Sequence, residues 1–252
     1  MKGIILAGGT GTRLFPLTKV TNKHLLPVGK EPMIFNPIRQ LISAGITDIL
    51  IITSKDHMGE IVRLLGSGSD FACNFTFKVQ DTAGGIAHAL SLAEDFANDD
   101  RMTVILGDNI LTHSIKPHVE AFLRQSIGAR ILLKKVGDPE RFGVAALDEQ
   151  RKMILEIEEK PKEPKSNYAV IGVYMYDRSV FDIIRGITPS PRGELEISSV
   201  NNEYVKRGLM TYGIVEGEWT DAGTFESIQY ANNLLFSIDN RIIETEYHAD
   251  TL

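Results

Sequence analysis

A single cysteine, Cys73, stands in a chain of 252 residues, which excludes both a disulfide framework and a thiolate metal cluster. Lying between Phe71 and Phe75 in sequence, its thiol reads as a packing group in a reducing compartment. The six histidines show no His-x-x-x-His pair or other ligand spacing, and each reads as a surface or cap residue. No apolar run approaches the roughly eighteen residues of a membrane span, and Met1 to Ala7 is too short and glycine-rich for a signal segment. A soluble, cytoplasmic protein with no membrane partner is expected. Excess basic charge is lacking too. The formal net charge of −6 argues against a nucleic-acid surface, although locally gathered cations could still hold a small anion. Repeats at solenoid or propeller periods are absent, and low-complexity sequence is confined to short lysine-proline stretches.

What the chain does have is concentrated at its beginning. The run Gly3-Ile-Ile-Leu-Ala-Gly-Gly-Thr-Gly-Thr-Arg-Leu14 reads as a strand emptying into a phosphate-cradling loop. Its glycines let backbone N–H groups approach an anion, and Arg13 adds a forked cation. Neither familiar nucleotide fingerprint fits. The dinucleotide pattern G-x-G-x-x-G, started at Gly9, ends on Leu14, and the P-loop pattern lacks its Gly-Lys-Ser/Thr.

Strand and helix patterns alternate through the first half. Strands are expected at Gly3 to Ala7, Asp48 to Thr53, Phe75 to Val79 and Met102 to Leu106. Helices are expected near Ile34 to Ala44, Met58 to Leu65 and Ile86 to Phe96. This predicts an α/β fold with a Rossmann-like, mostly parallel sheet flanked by helices. The second half reads as antiparallel strands at Ala129 to Val136, Gly143 to Leu147, Ile154 to Ile157 and Tyr168 to Tyr176. Helices follow at Glu194 to Lys206 and Gly223 to Phe236. Lys160-Pro-Lys-Glu-Pro-Lys165 reads as a surface loop rather than a linker, so a single domain over 1–252 is expected.

In such sheets the ligand lies beyond the carboxyl ends of the strands. Those ends carry Gly8 to Arg13, Gln80, Asp108 and Asn109, Glu159 and Lys160, and Trp219 to Gly223. Carboxylates from distant strands can converge on Mg²⁺, which keeps waters and takes phosphate oxygens as its remaining ligands, and Asp108 and Asp221 are the candidates. Gly-Asp-Asn and Asp-Ala-Gly are equally good turn sequences. Arg13, Lys23, Lys160 and Arg192 are the candidate cations, the last of them just before a predicted helix N-terminus.

These residues resemble the sugar-1-phosphate nucleotidylyltransferases, most closely the bacterial glucose-1-phosphate thymidylyltransferases. The likeness spans almost the whole chain. It is carried by Leu-Ala-Gly-Gly-Thr-Gly-Thr-Arg-Leu at 6 to 14, Lys-His-Leu-Leu-Pro-Val at 23 to 28, Leu-Gly-Asp-Asn at 106 to 109 and Asp-Pro-Glu-Arg-Phe-Gly-Val at 138 to 144. Glu-Glu-Lys-Pro at 158 to 161, Lys-Ser-Asn-Tyr-Ala-Val at 165 to 170, Arg-Gly-Glu-Leu-Glu-Ile at 192 to 197 and Trp-Thr-Asp-Ala-Gly at 219 to 223 complete it.

The resemblance implies that Leu6, Gly8, Gly9, Gly11, Thr12 and Arg13 hold a nucleoside triphosphate, with Arg13 and Lys23 on its phosphates. Gln80 and Gly85 would read the pyrimidine, and Asp108 and Asp221 would hold Mg²⁺. Asn109, Gly143, Glu159 and Val170 would contact the sugar, with Tyr174 and Trp219 walling its pocket and Lys160 and Arg192 gripping its phosphate. About 1–125 would form the nucleotide-binding core, about 126–222 the sugar-phosphate part and 223–252 a helical segment. The implied reaction joins dTTP and glucose-1-phosphate into dTDP-glucose and pyrophosphate, the first step toward dTDP-deoxysugars such as dTDP-rhamnose. A homo-oligomer, tetramer or dimer, is implied as well. Alternatives are a UTP-using enzyme of the same class and a non-catalytic sugar-nucleotide sensor. Two departures stand out. Gln-Asp-Thr-Ala-Gly-Gly at 80 to 85 lacks the proline-containing turn more usual in the family. The sequence also ends at Leu252, short of many relatives whose extra helices help build a regulatory site, which leaves feedback control open.

Overall fold

The structure is a computed structural model that describes the backbone of residues 1–249 and the side chains of residues 1–237. Strand β1 (Lys2–Ala7) carries no polar side chain from Gly3 onward and therefore sits at the centre of the sheet, covered on both faces. Short strands β2 (Pro27–Val28) and β3 (Glu31–Pro32) form a hairpin before helix α1 (Phe35–Ser43). Strand β4 (Asp48–Ser54), helix α2 (Met58–Leu65) and strand β5 (Asn74–Gln80) continue the βαβ winding. After helices α3 (Ile86–Ser91) and α4 (Glu94–Ala97) come β6 (Met102–Leu106), β7 (Asn109–Leu111), α5 (Lys116–Leu123) and β8 (Ala129–Lys135). The remainder is β9 (Gly143–Asp148), β10 (Met153–Glu159), β11 (Tyr168–Tyr176), α6 (Val180–Gly186), α7 (Ile197–Lys206), β12 (Met210–Ile214), β13 (Trp219–Asp221) and α8 (Phe225–Ala249).

Strands β1, β4, β5 and β6 are parallel, with Ile5 opposite both Ile51 and Ile105. β11 adds antiparallel to β6, β8 lies antiparallel beyond it, and β12 pairs parallel with β8. The β9–β10 hairpin joins the first residues of β11, completing a nine-stranded mixed sheet. The expected parallel core with an antiparallel addition is therefore the observed architecture.

Side chains of β1 alternate between two cores, as a period of two requires. Ile4 and Leu6 meet Ala87 and Leu90 of α3, Phe181 of α6 and Val200 and Tyr204 of α7 on one face. Ile5 and Ala7 meet Ile38 and Leu41 of α1, Ile61 of α2 and Phe122 of α5 on the other. A third, smaller cluster ties the loop after β1 to α8 through Leu14, Leu26, Met33 and Ala231.

Three local expectations need correction. The helix expected from Gly223 to Phe236 begins at Phe225 and runs on to Ala249. The helix expected from Ile86 to Phe96 breaks after Ser91, whose hydroxyl donates to the His88 carbonyl at 2.7 Å and competes with the helical ladder. The helix expected from Glu194 begins instead at Ile197, capped by Glu196 in extended backbone, so Arg192 lies five residues ahead of its first turn.

Candidate active site

The loop after β1 is built around other side chains, which explains its glycines. Gly11 has φ of 65°, and a Cβ there would sit 2.7 Å from Thr18 Cγ2 and 3.1 Å from Lys23 Cβ. At Gly9 a Cβ would stand 3.3 Å from Lys23 Cε, and at Gly8 it would stand 2.7 Å from Gln80 Oε1. Leu14, where the dinucleotide pattern fails, is fully buried and anchors the loop. The loop thus brings Lys23 and Gln80 together at the carboxyl end of the sheet. Gln80 in turn donates to the Gly85 carbonyl at 3.4 Å and lies 3.0 Å from His88 Nδ1. Gly85, at φ of 93°, leaves no room for a Cβ, which would meet the Leu195 carbonyl oxygen at 2.6 Å.

Beyond β6 the backbone turns at Gly107, where the N–H donates to the Leu6 carbonyl at 2.9 Å, and presents Asp108 and Asn109. Lys23 Nζ is 2.5 Å from Asp108 Oδ2, both side chains being largely buried. Burial opposes ionisation of Asp108, but Lys23 outweighs it and holds the carboxyl well below the usual range. Asn109 fixes three neighbours at once. Its Oδ1 accepts from Trp219 Nε1 at 2.6 Å and from the Gly172 N–H at 3.1 Å, and its Nδ2 donates to Asp108 Oδ1 at 3.2 Å.

The β7–β13 ladder places Asp221 opposite Asn109, so the two aspartates, far apart in sequence, share one site. Burial raises the Asp221 pKa, and Asp108 raises it further, against the pull of Arg141, Arg13 and Lys23. Arg141 Nη2 is 3.3 Å from Asp221 Oδ1. Two hard carboxylates flanked by cations are a donor set that fits Mg²⁺ only if phosphate and water complete its shell. Among the described residues no group of three or more acidic, histidine or cysteine side chains is placed to hold a metal.

A cavity of about 220 Å³ opens beside this pair. Arg13, Asp108, Asn109, Gly143, Glu159, Lys160, Val170, Tyr174, Trp219 and Asp221 all line it, gathering most of the residues picked out in sequence. Glu159 is pushed up by burial, with Lys160 opposing. Lys160 follows at φ of 46°, its backbone N–H donating to the Phe142 carbonyl at 3.0 Å. Burial likewise raises the Tyr174 hydroxyl, which stays protonated. Arg192 does not line the cavity. It is held by Glu196 at 2.8 Å, with Glu159 Oε1 3.8 Å away, so it stands at the site's border. A larger hollow of about 830 Å³ between β10, α6 and α7 contains none of the singled-out residues.

Sequence reasoning missed several members. Arg141 and Phe142 lie within the quoted stretch 138 to 144, and Ile86, Leu106, Ile157, Gly172, Ile197, Ser198 and Asn201 complete the lining. Leu106, Arg141, Phe142 and Ile197 lie inside motifs already noted, and of these Arg141 alone carries a charge suited to a phosphate. His24 corrects the reading of histidines as surface or cap residues. It is 1% exposed, and burial, with Lys23 adding, lowers its pKa to about 3.

A strand-end glycine loop, paired carboxylates and a cation-bordered cavity on a mixed α/β sheet define a nucleotide-transferring class of protein. Residues 2–237 match the nucleotidyl transferase family, and the chain belongs to it. It is 42% identical over 243 residues to the glucose-1-phosphate thymidylyltransferase of Neisseria meningitidis serogroup A, covering 95% of this chain and 84% of that protein. Among solved structures it matches the provisionally named glucose-1-phosphate thymidylyltransferase of Bacillus anthracis, in complex with a sucrose. That match has a TM-score of 0.89 and 61% identity over 93% of this chain and 94% of that one. A UDP-glucose pyrophosphorylase bound to UDP-glucose superposes with a TM-score of 0.83 at 24% identity, over 94% and 98% of the two chains, which speaks for the fold alone.

Proposed function

We propose that this chain transfers a thymidylyl group from dTTP to glucose-1-phosphate, yielding dTDP-glucose and pyrophosphate. The observation that carries the reading is the convergence of Asp108, Asp221, Arg13, Arg141 and Lys160 on one cavity. An oxygen of the sugar phosphate forms a bond to the α-phosphorus while the bond to the β-phosphate oxygen breaks, and pyrophosphate leaves with that electron pair. The nucleophile is already anionic near neutral pH, so no side chain has to remove a proton. The obstacle is repulsion between two polyanions, and the chain's residues answer it by placement and charge. Arg13 and Lys23 meet the triphosphate, Lys160 and Arg192 meet the sugar phosphate, and Gln80 and Gly85 face the base. Asn109, Gly143, Glu159, Val170, Tyr174 and Trp219 enclose the sugar. Asp108 and Asp221 would hold Mg²⁺, which supplies charge neutralisation at the transferring phosphate when bound.

The same reading places the protein at the entry to dTDP-deoxysugar synthesis, dTDP-rhamnose included, as a cytoplasmic homo-oligomer. No helix of the described residues is long and apolar enough to cross a membrane. The test is pyrophosphate release with glucose-1-phosphate and Mg²⁺, comparing dTTP, UTP, CTP, ATP and GTP. Preference for dTTP supports the reading. Release with UTP alone moves the protein to the uridylyl-transferring alternative; UTP differs from dTTP by the missing 5-methyl group, worth only ~1–3 kcal/mol of discrimination, and by its added 2′-hydroxyl. Silence with all five nucleotides favours the sensor reading.

A further inference from the structure

Lys23 touches both halves of the site. Its Nζ pairs with Asp108 Oδ2 at 2.5 Å, and its stem runs under the glycine loop, within 3.3 Å of where a Gly9 Cβ would stand. Both charged side chains are 12% exposed, so solvent screens their pairing only weakly. The remaining Asp108 oxygen accepts from Asn109 at 3.2 Å, a neutral donor that leaves the Asp108 charge to Lys23. A cation that binds Asp108 must therefore displace Lys23, and a buried lysine stripped of its partner is costly. An anion held by backbone N–H groups of the glycine loop, against which the Lys23 stem packs, would offer that partner.

We propose that Lys23 is the resident counter-ion of Asp108 in the free protein and passes to the triphosphate when a divalent metal takes its place. Metal and nucleotide then bind cooperatively, each removing an obstacle to the other. This rests on the assignment of Asp108 to the metal and of the glycine loop to the triphosphate. It adds that Lys23 opposes the metal when no nucleotide is present. The sign is opposite to that of a residue acting only as a phosphate ligand.

The test is Mn²⁺ binding, measured as the loss of the free-ion signal in electron paramagnetic resonance beyond that of a protein-free control, with and without dTTP. Lys23→Met is expected to bind Mn²⁺ alone more tightly than the unaltered protein, by roughly 5- to 150-fold, the usual span of coupling between sites. The same change should weaken dTTP. Lys19→Met removes an equal charge from the same loop at an exposed position unpaired with Asp108, and is expected to leave Mn²⁺ affinity unchanged. Lys23→Gln serves as the second variant should Lys23→Met fold poorly, and the rise in melting temperature on adding Mn²⁺ gives an independent reading, larger in either variant. Unchanged or weaker binding of Mn²⁺ alone in both Lys23 variants overturns the proposal while leaving the metal site standing. Equal tightening in Lys19→Met also overturns it. Absence of Mn²⁺ binding in every protein, even with dTTP, overturns the metal assignment and the proposal together.

Discussion

His24 Nδ1 lies 2.6 Å from Asn22 Oδ1, and because that oxygen can only accept, the imidazole carries a proton on Nδ1, while burial disfavours a second proton and keeps the ring neutral. Asn22 Oδ1 also accepts from the His24 backbone N–H at 2.8 Å, so the short turn is closed from both ends. Gly107 packs on the ring, since a Cβ there would be 2.7 Å from His24 Cδ2. The histidine thus fixes the spatial relation between Lys23 and Asp108 without touching the cavity.

Its pKa of about 3 makes this turn sensitive to acid. Below its ordinary value of 6.5 the unfolded chain binds a proton that the folded chain refuses until about pH 3, so stability falls as pH drops through that window. Between pH 7 and pH 5 this one group costs about 2 kcal/mol. A melting temperature about 4–8 °C lower at pH 5 follows for a chain of this size. His24→Gln, which keeps a donor toward Asn22, should remove most of that difference in a melting series across pH, and an equal fall in both proteins would assign it elsewhere.

Asp108→Asn preserves volume and the contact with Asn109 but removes the charge. Turnover at saturating substrates and Mg²⁺ should fall by roughly 10²–10³-fold, the scale of losing one electrostatic contact to the transferring group. Far-UV circular dichroism should be unchanged. Near-normal activity at limiting Mg²⁺ would remove Asp108 from the metal site.

Lys160→Ala should discriminate between the two substrates. A charge-assisted hydrogen bond is worth ~1.5–3 kcal/mol, so the KM for glucose-1-phosphate should rise about tenfold or more. Affinity for dTTP should barely move. Separate titrations of the two ligands decide this, and equal losses would place Lys160 outside the sugar-phosphate subsite.

Gly172→Ala reports on the cavity wall. A Cβ at 172 would stand 2.6 Å from both Asn109 Nδ2 and Leu106 Cγ. Relief of that overlap should cost about 1–3 kcal/mol in a denaturant titration. It should also turn Asn109 away from Trp219. Trp219 is the sole tryptophan, so the emission maximum of the folded protein reads that movement directly, and an unshifted spectrum would show that the wall absorbs the methyl group.

Much of this was written in the sequence because it depends on neighbours along the chain. Alternating apolar runs and helix periods predicted β1, β4, β5 and β6 as strands of a mostly parallel sheet, and the central β1 and β4 carry apolar runs because they are buried on both faces. The bounds of α2 and β11 emerged as expected for the same reason. Strand ends named the residues at the carboxyl edge, where a βαβ sheet always presents its ligand face. Glycines that clear space for Lys23 and Gln80 were visible as glycines, though not what they clear.

Only the tertiary structure decided which of those strand ends meet. Asp108 and Asp221 come together through the two-stranded pairing of β7 with β13, short strands that no sequence period distinguishes from turns. Arg141 acquires its place from Asp221, distant in sequence, and His24 its buried neutrality from Gly107 packed on its ring. Arg192, expected at a helix N-terminus, is instead drawn to Glu196 because the helix begins later. Local patterning fixes elements and their ends; charge pairing and burial are long-range quantities, and they exist only once the sheet has brought its edges together.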